Sequence, residues 1–528
     1  MPGRTIRYES VLLSLSLLFL SACSALPGYA PTQSSLLPTR TLAPARTVVP
    51  YTPEPPATAH LQVLPTATLS PVGSTSTSVA GTGPNRTDTT VTPGALSITS
   101  CADVRPTPDS VIPTSANATT PGQIVFVTLN GDIALTDASG SRVQPVTHDA
   151  NTNDSQRRLR IYAYPTFSHD GTELAFIQFT TISGTNIVTQ TLVDAPAQAG
   201  ATLTPLYTTR VDSISYPSWS PNNQYVAFLT VGPDGEALHV VGRSGGANTI
   251  VEQGSSIYWQ WRADSGMLAV HVGGSTATDA SAHISLVAPT SLTTTRLTSV
   301  PGYFKAPDYS PDAKYLLFVA RIQGNDNLIL ADTLGKPLCS LSQLDAGASF
   351  AWSPDGHRVA WINSADAIDN PASLYVYDLR TGIQSKLHDS AAGFFWSPDS
   401  NNLAVYSFVL SSKPTTFGHV GGVENSPATQ NQTQTPLLRI EKVNVTTGDA
   451  LLMADTAPSH TFFNMLGYFD QYARDLTPWS PAGTQLVLTS ASQTQDSIDM
   501  AVATLGRGGT TVSLKRVGAA VVAFWSPH

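Results

Sequence analysis

The chain has 528 residues, of which only 12 % are Asp, Glu, Lys or Arg, and a formal net charge of −9. With no Lys/Arg stripe, this modest acidic balance gives no electrostatic support for a nucleic-acid partner, and none is expected. Plentiful Gly (38) and Pro (39) favour short strands and many turns over long amphipathic helices.

Arg4 and Arg7 precede the apolar run VLLSLSLLFL at 11–20, and Leu20-Ser21-Ala22-Cys23 follows at once. A bilayer span needs about 20 apolar residues, so this shorter run reads as the core of a signal peptide over 1–22. The small residues before Cys23 resemble the bacterial lipobox. That resemblance implies diacylation of Cys23 through its sulfur, a membrane lipid anchor and an extracytoplasmic location. A plain secretory signal with an incidental Cys is the alternative. Several acyl chains, at roughly 0.8 kcal/mol per buried CH₂, hold firmly.

Residues 23–120 are dominated by Pro, Thr, Ser and Ala, as in RTVVPYTPEPPATAH, and lack the periodicity needed to bury a core. They are expected to form a disordered tether, on the order of 60 Å r.m.s. as a flexible coil. The remaining cysteines are Cys101 and Cys339. Outside the cytoplasm a disulfide between them is permitted, and two separate thiols are equally compatible.

From 121 to 528 one phrase recurs. It reads YPTFSHDGTELAF at 164–176, YPSWSPNNQYVAF at 216–228 and YWQWRADSGMLAV at 258–270. It continues as APDYSPDAKYLLF at 306–318, ASFAWSPDGHRVAW at 348–361, GFFWSPDSNNLAV at 393–405 and LTPWSPAGTQLVL at 476–488. Repetition at about 40 to 50 residues signals propeller blades, each too thin to fold alone. Within each copy an aromatic closes one strand: Phe167, Trp219, Trp261, Tyr309, Trp352, Trp396 and Trp479, with Trp525 in a final fragment. Ser-Pro-Asp-Gly then turns the chain, because Pro fixes φ, Asp bonds the backbone ahead and Gly accepts positive φ. The aromatic is expected to wedge between neighbouring blades.

Residues 122–149 supply the outer three strands of a blade, and AVVAFWSPH at 520–528 supplies an innermost strand. Together they make one split blade, which with seven contiguous copies gives eight. Such a clasp removes the open sheet edges of a ring. The interval from Trp396 to Trp479 is nearly double the others and reads as one blade with insertions at about 409–435 and 457–476. The expected fold is therefore an all-β, eight-bladed propeller of four-stranded antiparallel blades.

The phrase Tyr-Pro-x-Trp-Ser-Pro-Asp-Gly before an Ile-Ala-Phe-like strand resembles the repeat of TolB-type β-propellers. The resemblance covers about 121 to 528. It implies an envelope protein whose propeller face binds a protein or surface polymer, with the Pro/Thr/Ser-rich segment standing where TolB has an N-terminal domain. Fold analogy supplies no site by itself.

The motifs that suggest chemistry are weak. Gly242-Arg243-Ser244-Gly245-Gly246 fits the nucleophile elbow G-x-S-x-G but lacks its strand–turn–helix setting and reads as a hairpin turn. Asp378-Leu379-Arg380-Thr381-Gly382 and Val445-Thr446-Thr447-Gly448 are similar to quinoprotein turns without their Trp, and read as turns. Asp149 to Asp154 begins like a calcium loop, with Asp154 at its glycine position and Arg160 at its bidentate position. The His residues show no metal-ligand spacing. No catalytic residue, metal or cofactor is assigned.

Loops joining second to third strands, and loops joining blades, open on one face of a propeller. Both insertions belong to that face. The second carries Phe462, Phe463, Tyr468, Phe469 and Tyr472, which are expected to meet a partner, to fold as a lid over the ring mouth, or to pack on the first insertion. The favoured function is a monomeric, membrane-anchored binding or scaffolding module. The alternatives are a propeller hydrolase acting on glycans, marked by converging carboxylates in the mouth, and a small-ligand receptor or sensor.

Overall fold

The computed structural model describes residues 98–101 and 122–527, apart from 153–157, 183–184, 186, 247, 255, 275–280, 304, 346–347, 364–371, 412–434 and 492–496. The expected signal peptide, Cys23, residues 412–434 of the first insertion and all of the expected tether except Ile98–Cys101 lie outside these residues. Eight antiparallel sheets follow one another in chain order, and in all but the split one the strands run in sequence from the innermost outward.

Blade 1 is the split one. Val522–Trp525 pairs with Ile124–Val127, in the register Ile124 to Trp525 and Val125 to Phe524, and Ile133–Thr136 and Gln144–Pro145 lie outside them. Blades 2 to 7 begin at Arg158–Phe167, Ser213–Trp219, Ile257–Trp261, Asp308–Tyr309, Ala348–Trp352 and Gly393–Trp396. The double-length interval is indeed one blade, completed by Asn402–Ser411, Thr435–Asn444 and Ala450–Thr456. Blade 8 has three full strands, and its innermost part is reduced to two bridges, Thr477 with Trp525 and Trp479 with Leu486. Pro478 stands between those bridges and Pro307 precedes the two-residue strand of blade 5; neither can donate to a ladder.

The repeat aromatics do what their position predicts. Phe167, Trp219, Trp261, Tyr309, Trp352, Trp479 and Trp525 are all buried, and Trp396 packs half-buried against the core. Four indoles reach back to the preceding blade: Trp219 Nε1 donates to Thr166 O (3.4 Å), Trp352 Nε1 to Asp308 O (3.2 Å), Trp396 Nε1 to Ala351 O (3.3 Å) and Trp479 Nε1 to Phe395 O (3.0 Å). Each acceptor immediately precedes that blade's own repeat aromatic. The wedge thus couples apolar burial to one directed bond per wall.

The turns behind the aromatics are equally regular. Ser Oγ donates to the Asp two residues on in Ser168–Asp170, Ser310–Asp312, Ser353–Asp355 and Ser397–Asp399, at 2.5–2.6 Å. The fourth turn position takes φ between +57° and +70° whatever its residue: Gly171, Asn223, Ser265, Ala313, Gly356, Ser400 and Gly483. A left-handed non-Gly residue is strained. Three of the four substitutes gain a bond in return, because their side chains accept from the preceding blade's turn: His169 N to Asn223 Oδ1, Asn222 N to Ser265 Oγ and Asp355 N to Ser400 Oγ, at 2.8–3.0 Å. Nothing in the structure explains Ala313.

Ile98–Cys101 lies against the outer edge of blade 5. Cys101 is disulfide-bonded to Cys339, and Ser100 forms a parallel bridge with Ser340. Cys101 N donates to Ser340 O and Ser340 N to Thr99 O, both at 3.0 Å, while the Tyr377 hydroxyl of blade 6 donates to Cys101 O at 2.9 Å. Ile98 packs on the core shared by blades 4 and 5. Four residues from the segment expected to be a free tether therefore staple the ring, four blades away from the split blade.

Candidate functional site

The second insertion fills the mouth of the ring. Ser459 caps helix α1 (His460–Leu466), its Oγ accepting from Phe462 N (3.1 Å) and donating to Val521 O of blade 1 (2.7 Å). A second short helix, α2 (Phe469–Tyr472), follows. From these few residues bonds and ring contacts reach every blade.

On blade 2, Tyr164 stacks with Tyr472 at 6.3 Å, and Thr166 Oγ1 donates to Asp475 O at 3.4 Å. On blade 3, Tyr216 meets Tyr472 at 4.5 Å and Tyr468 at 6.2 Å, and Ser218 Oγ donates to Asp475 Oδ1 at 3.1 Å. On blade 4, Gln471 reads both backbone groups of Trp259: Oε1 accepts from Trp259 N (3.0 Å) and Nε2 donates to Trp259 O (3.1 Å). On blades 5 and 6, Arg474 Nη1 donates to Asp308 Oδ2 (2.7 Å) and Nη2 to Phe350 O (2.8 Å). On blade 7, Phe469 lies edge-on to Phe394 at 5.4 Å. Blade 8 continues directly from the plug at Thr477.

The sequence pointed to five aromatics here. Phe469 is buried, Phe462 packs half-buried against Tyr406, and Tyr468 and Tyr472 lie among Tyr164, Tyr216 and Tyr258. Phe463 alone of the five faces solvent, at 49 % exposure, and its ring is 6.0 Å from Phe408. Phe408 and Leu410, on the projecting end of a blade 7 strand, are also exposed. Four of the five aromatics thus turn toward the ring and one turns to solvent. The gaps left beside Tyr164, Tyr216 and Asp475 amount to about 10 Å³, room for about one water.

Tyr164 and Tyr216 carry a further signature. Each begins a Tyr-Pro pair left out of the strand register, and their φ values are +56° and +51°. Such backbone is strained for a bulky residue and persists only where the surroundings fix it. Both rings meet Tyr472.

The polar centre of the plug escaped the sequence reading. Asp308 and Asp470 are buried, and the Arg474 side chain is 6 % exposed. Burial pushes the Asp308 carboxyl up to about 6 against the pull of Arg474, and pushes Asp475 up to about 7. Only FDQYARD, with Asp470, Gln471, Arg474 and Asp475 at helical spacing, hinted that this loop has a buried polar side.

Elsewhere the weak motifs resolve as turns. Gly245 N donates to Gly242 O across a hairpin end, and Arg243 pairs with Glu173 and Asp194 of blade 2. Arg380 N and Thr381 N donate to Asp378 Oδ1, and Thr446 N and Thr447 N to Asn444 Oδ1. Asp149 accepts from Arg160 Nη1 (2.8 Å) and the Tyr162 hydroxyl (2.7 Å), so the residue at the bidentate position of the calcium pattern neutralises the first. Among the described residues no group of three or more His, Cys, Asp or Glu is placed to hold a metal ion.

No family model matches the chain, and no curated protein matches it. Solved structures do. TolB from Acinetobacter baumannii is 14 % identical, with 70 % of this chain and 83 % of that one covered, at a TM-score of 0.32. An oligogalacturonate lyase in complex with manganese is 16 % identical over 74 % of this chain and 98 % of that one, at 0.42. The oligogalacturonate lyase of Vibrio parahaemolyticus is 13 % identical over 74 % and 100 %, at 0.41. At such values these are likenesses only, and the eight-bladed assignment rests on this chain's own sheets.

Proposed function

We propose that this protein is an extracytoplasmic, lipid-anchored binding or scaffolding module that meets a protein or envelope polymer across the plugged face of its propeller. The observation that supports this reading is the plug itself. A reaction in the mouth needs a cavity for its substrate, whereas here Gln471, Arg474 and Tyr472 fill that space from within the chain. The same face carries Phe408, Leu410 and Phe463, large apolar side chains left in solvent at 48 %, 67 % and 49 % exposure. Apolar groups of this kind, grouped beside a polar rim, are what an interface core uses. The buried Cys101–Cys339 disulfide favours an oxidising compartment, in keeping with anchoring through Cys23.

The second reading, an enzyme acting on glycans, draws on Asp308, Asp470 and Asp475, which do bring carboxyl groups to the mouth. Each already has a donor inside the protein: Arg474, Ala306 N and Ser218 respectively. One experiment separates the two. A photo-crosslinking amino acid at Phe408 or Phe463, in the full-length protein on intact cells, is expected to capture one discrete species. The same probe at Leu334, 69 % exposed in a turn of the opposite face, is expected to capture none. No capture from either face, together with depolymerisation of a glycan library by the purified protein, replaces the module with the enzyme.

A further inference from the structure

The plug gathers three carboxyl groups and one guanidinium in the ring mouth, with Asp308 and Asp470 buried and Asp475 half-buried. Asp308 comes from blade 5, and Asp470, Arg474 and Asp475 from the plug. Arg474 is committed to Asp308 Oδ2 and Phe350 O. Asp475 receives only the Ser218 hydroxyl among the described side chains, and its backbone carbonyl receives Thr166. The other titratable groups packed here are the phenols of Tyr164, Tyr216, Tyr468 and Tyr472, and burial moves the Tyr472 phenol further from ionising. Lys305, which precedes Asp308 in the chain, turns its ammonium toward Ser349 Oγ at 3.4 Å. One cation therefore faces three acids, and a buried excess of negative charge is strongly unfavourable.

We propose that residues 457–476 form a proton-held lid, closed while Asp475 carries a proton and opening from the ring mouth as that proton is lost. The direction follows from linkage. A seated Asp475 holds its proton more tightly than one in water, which titrates near 3.9. The part of the lid's hold that Asp475 contributes is therefore complete below the ordinary carboxylate pKa and is lost as pH rises through about 7. The lid is a continuous segment bounded by two X-Pro pairs. It enters after Ala457-Pro458 and leaves through Thr477-Pro478, two stiff junctions, and it carries its own two short helices. Tyr164 and Tyr216, both at positive φ, hold Tyr472 between them while the lid is shut. An open lid bares an acceptor-rich wall: the Asp308 carboxylate and the carbonyls of Phe350 and Trp259.

Hydrogen exchange of peptides spanning 457–477, corrected for the intrinsic pH dependence of exchange, tests this against the blade 3 core peptide containing Val226–Leu229. The opening constant of the lid is expected to rise by up to about tenfold per pH unit between pH 5 and 7, to level off above 8, and to do so while the core peptide stays flat. Asp475→Asn keeps an acceptor for Ser218 and cannot ionise, so its lid is expected to stay shut across the range. Ser218→Ala keeps every charge but removes the one side-chain donor that favours the ionised acid, so its transition is expected to move to higher pH. A lid flat from pH 5 to 8, an Asp475→Asn variant that retains the slope, or a slope shared with the blade 3 core overturns the proposal. The partner reading is tested separately at Phe408 and Phe463 and stands or falls without this one.

Discussion

Trp219, Trp352, Trp396 and Trp479 seal four different walls between blades with the same bond to the same backbone position. The plug in the ring's mouth uses Gln471, Arg474 and Asp475 once each, on three different kinds of acceptor or donor. The walls are apolar, with fully buried clusters such as Ala227, Leu238, Trp259 and Val270, and they gain stability in proportion to area withdrawn from water. The mouth is polar and ionisable, and there the sign of each contribution depends on protonation. The difference teaches that the repeat specifies a rigid body, while a single unrepeated segment sets the state of its opening.

Four variants break or sharpen that contrast. The largest loss is expected from Cys101→Ser with Cys339→Ser, because the bond closes a loop of sequence separation 238. The chain-entropy relation puts such a loop at about 5 kcal/mol, read as a lower denaturation midpoint of the mutated protein than of the oxidised one. Trp219→Ala removes a side chain with no exposure and its bond to Thr166, and is expected to cost about 4 kcal/mol of global stability, visible in calorimetry. Arg474→Ala leaves Asp308 buried without its cation. A cost of about 3 kcal/mol is expected there, confined to lid exchange and largely recovered when Asp308→Ala is added. Should Arg474→Ala instead unfold blades 5 and 6 together, walls and mouth are one cooperative unit and the contrast fails. The smallest effect runs the other way. Ala313→Gly relieves a residue held at φ +57° with no compensating bond, and is expected to raise stability by about 1 kcal/mol. The same change at Ser400 is expected to gain less or nothing, since its hydroxyl accepts from Asp355 N.

Eight blades, the split of the first between distant segments, the aromatic wedges and the unity of the long blade were all legible in the sequence. Each is a local pattern used many times over, so one reading of Trp-Ser-Pro-Asp-Gly serves every copy. The staple at blade 5 was legible only as two cysteines, because pairing depends on distance in space and residues 101 and 339 are far apart in the chain. The four non-glycine turn residues at positive φ were not foreseen, since for three of them the recompense is a bond from a neighbouring blade. The aromatic insertion was visible as unusual, but whether its side chains meet a partner, cover the mouth or pack inward depends on the assembled ring, where Phe463 faces solvent and Phe469 is buried.

The sequence by itself determined the ring, because hairpin turns, alternating apolar strands and a wedge aromatic are short-range instructions that each segment carries independently. Only the tertiary structure decided what occupies the centre. Asp308 becomes a buried acid paired to Arg474, delivered from a segment 166 positions away, and Asp475 has its proton held more tightly because the assembled mouth desolvates it. Burial and charge pairing are properties of the assembled ring, and no local pattern in the chain encodes them.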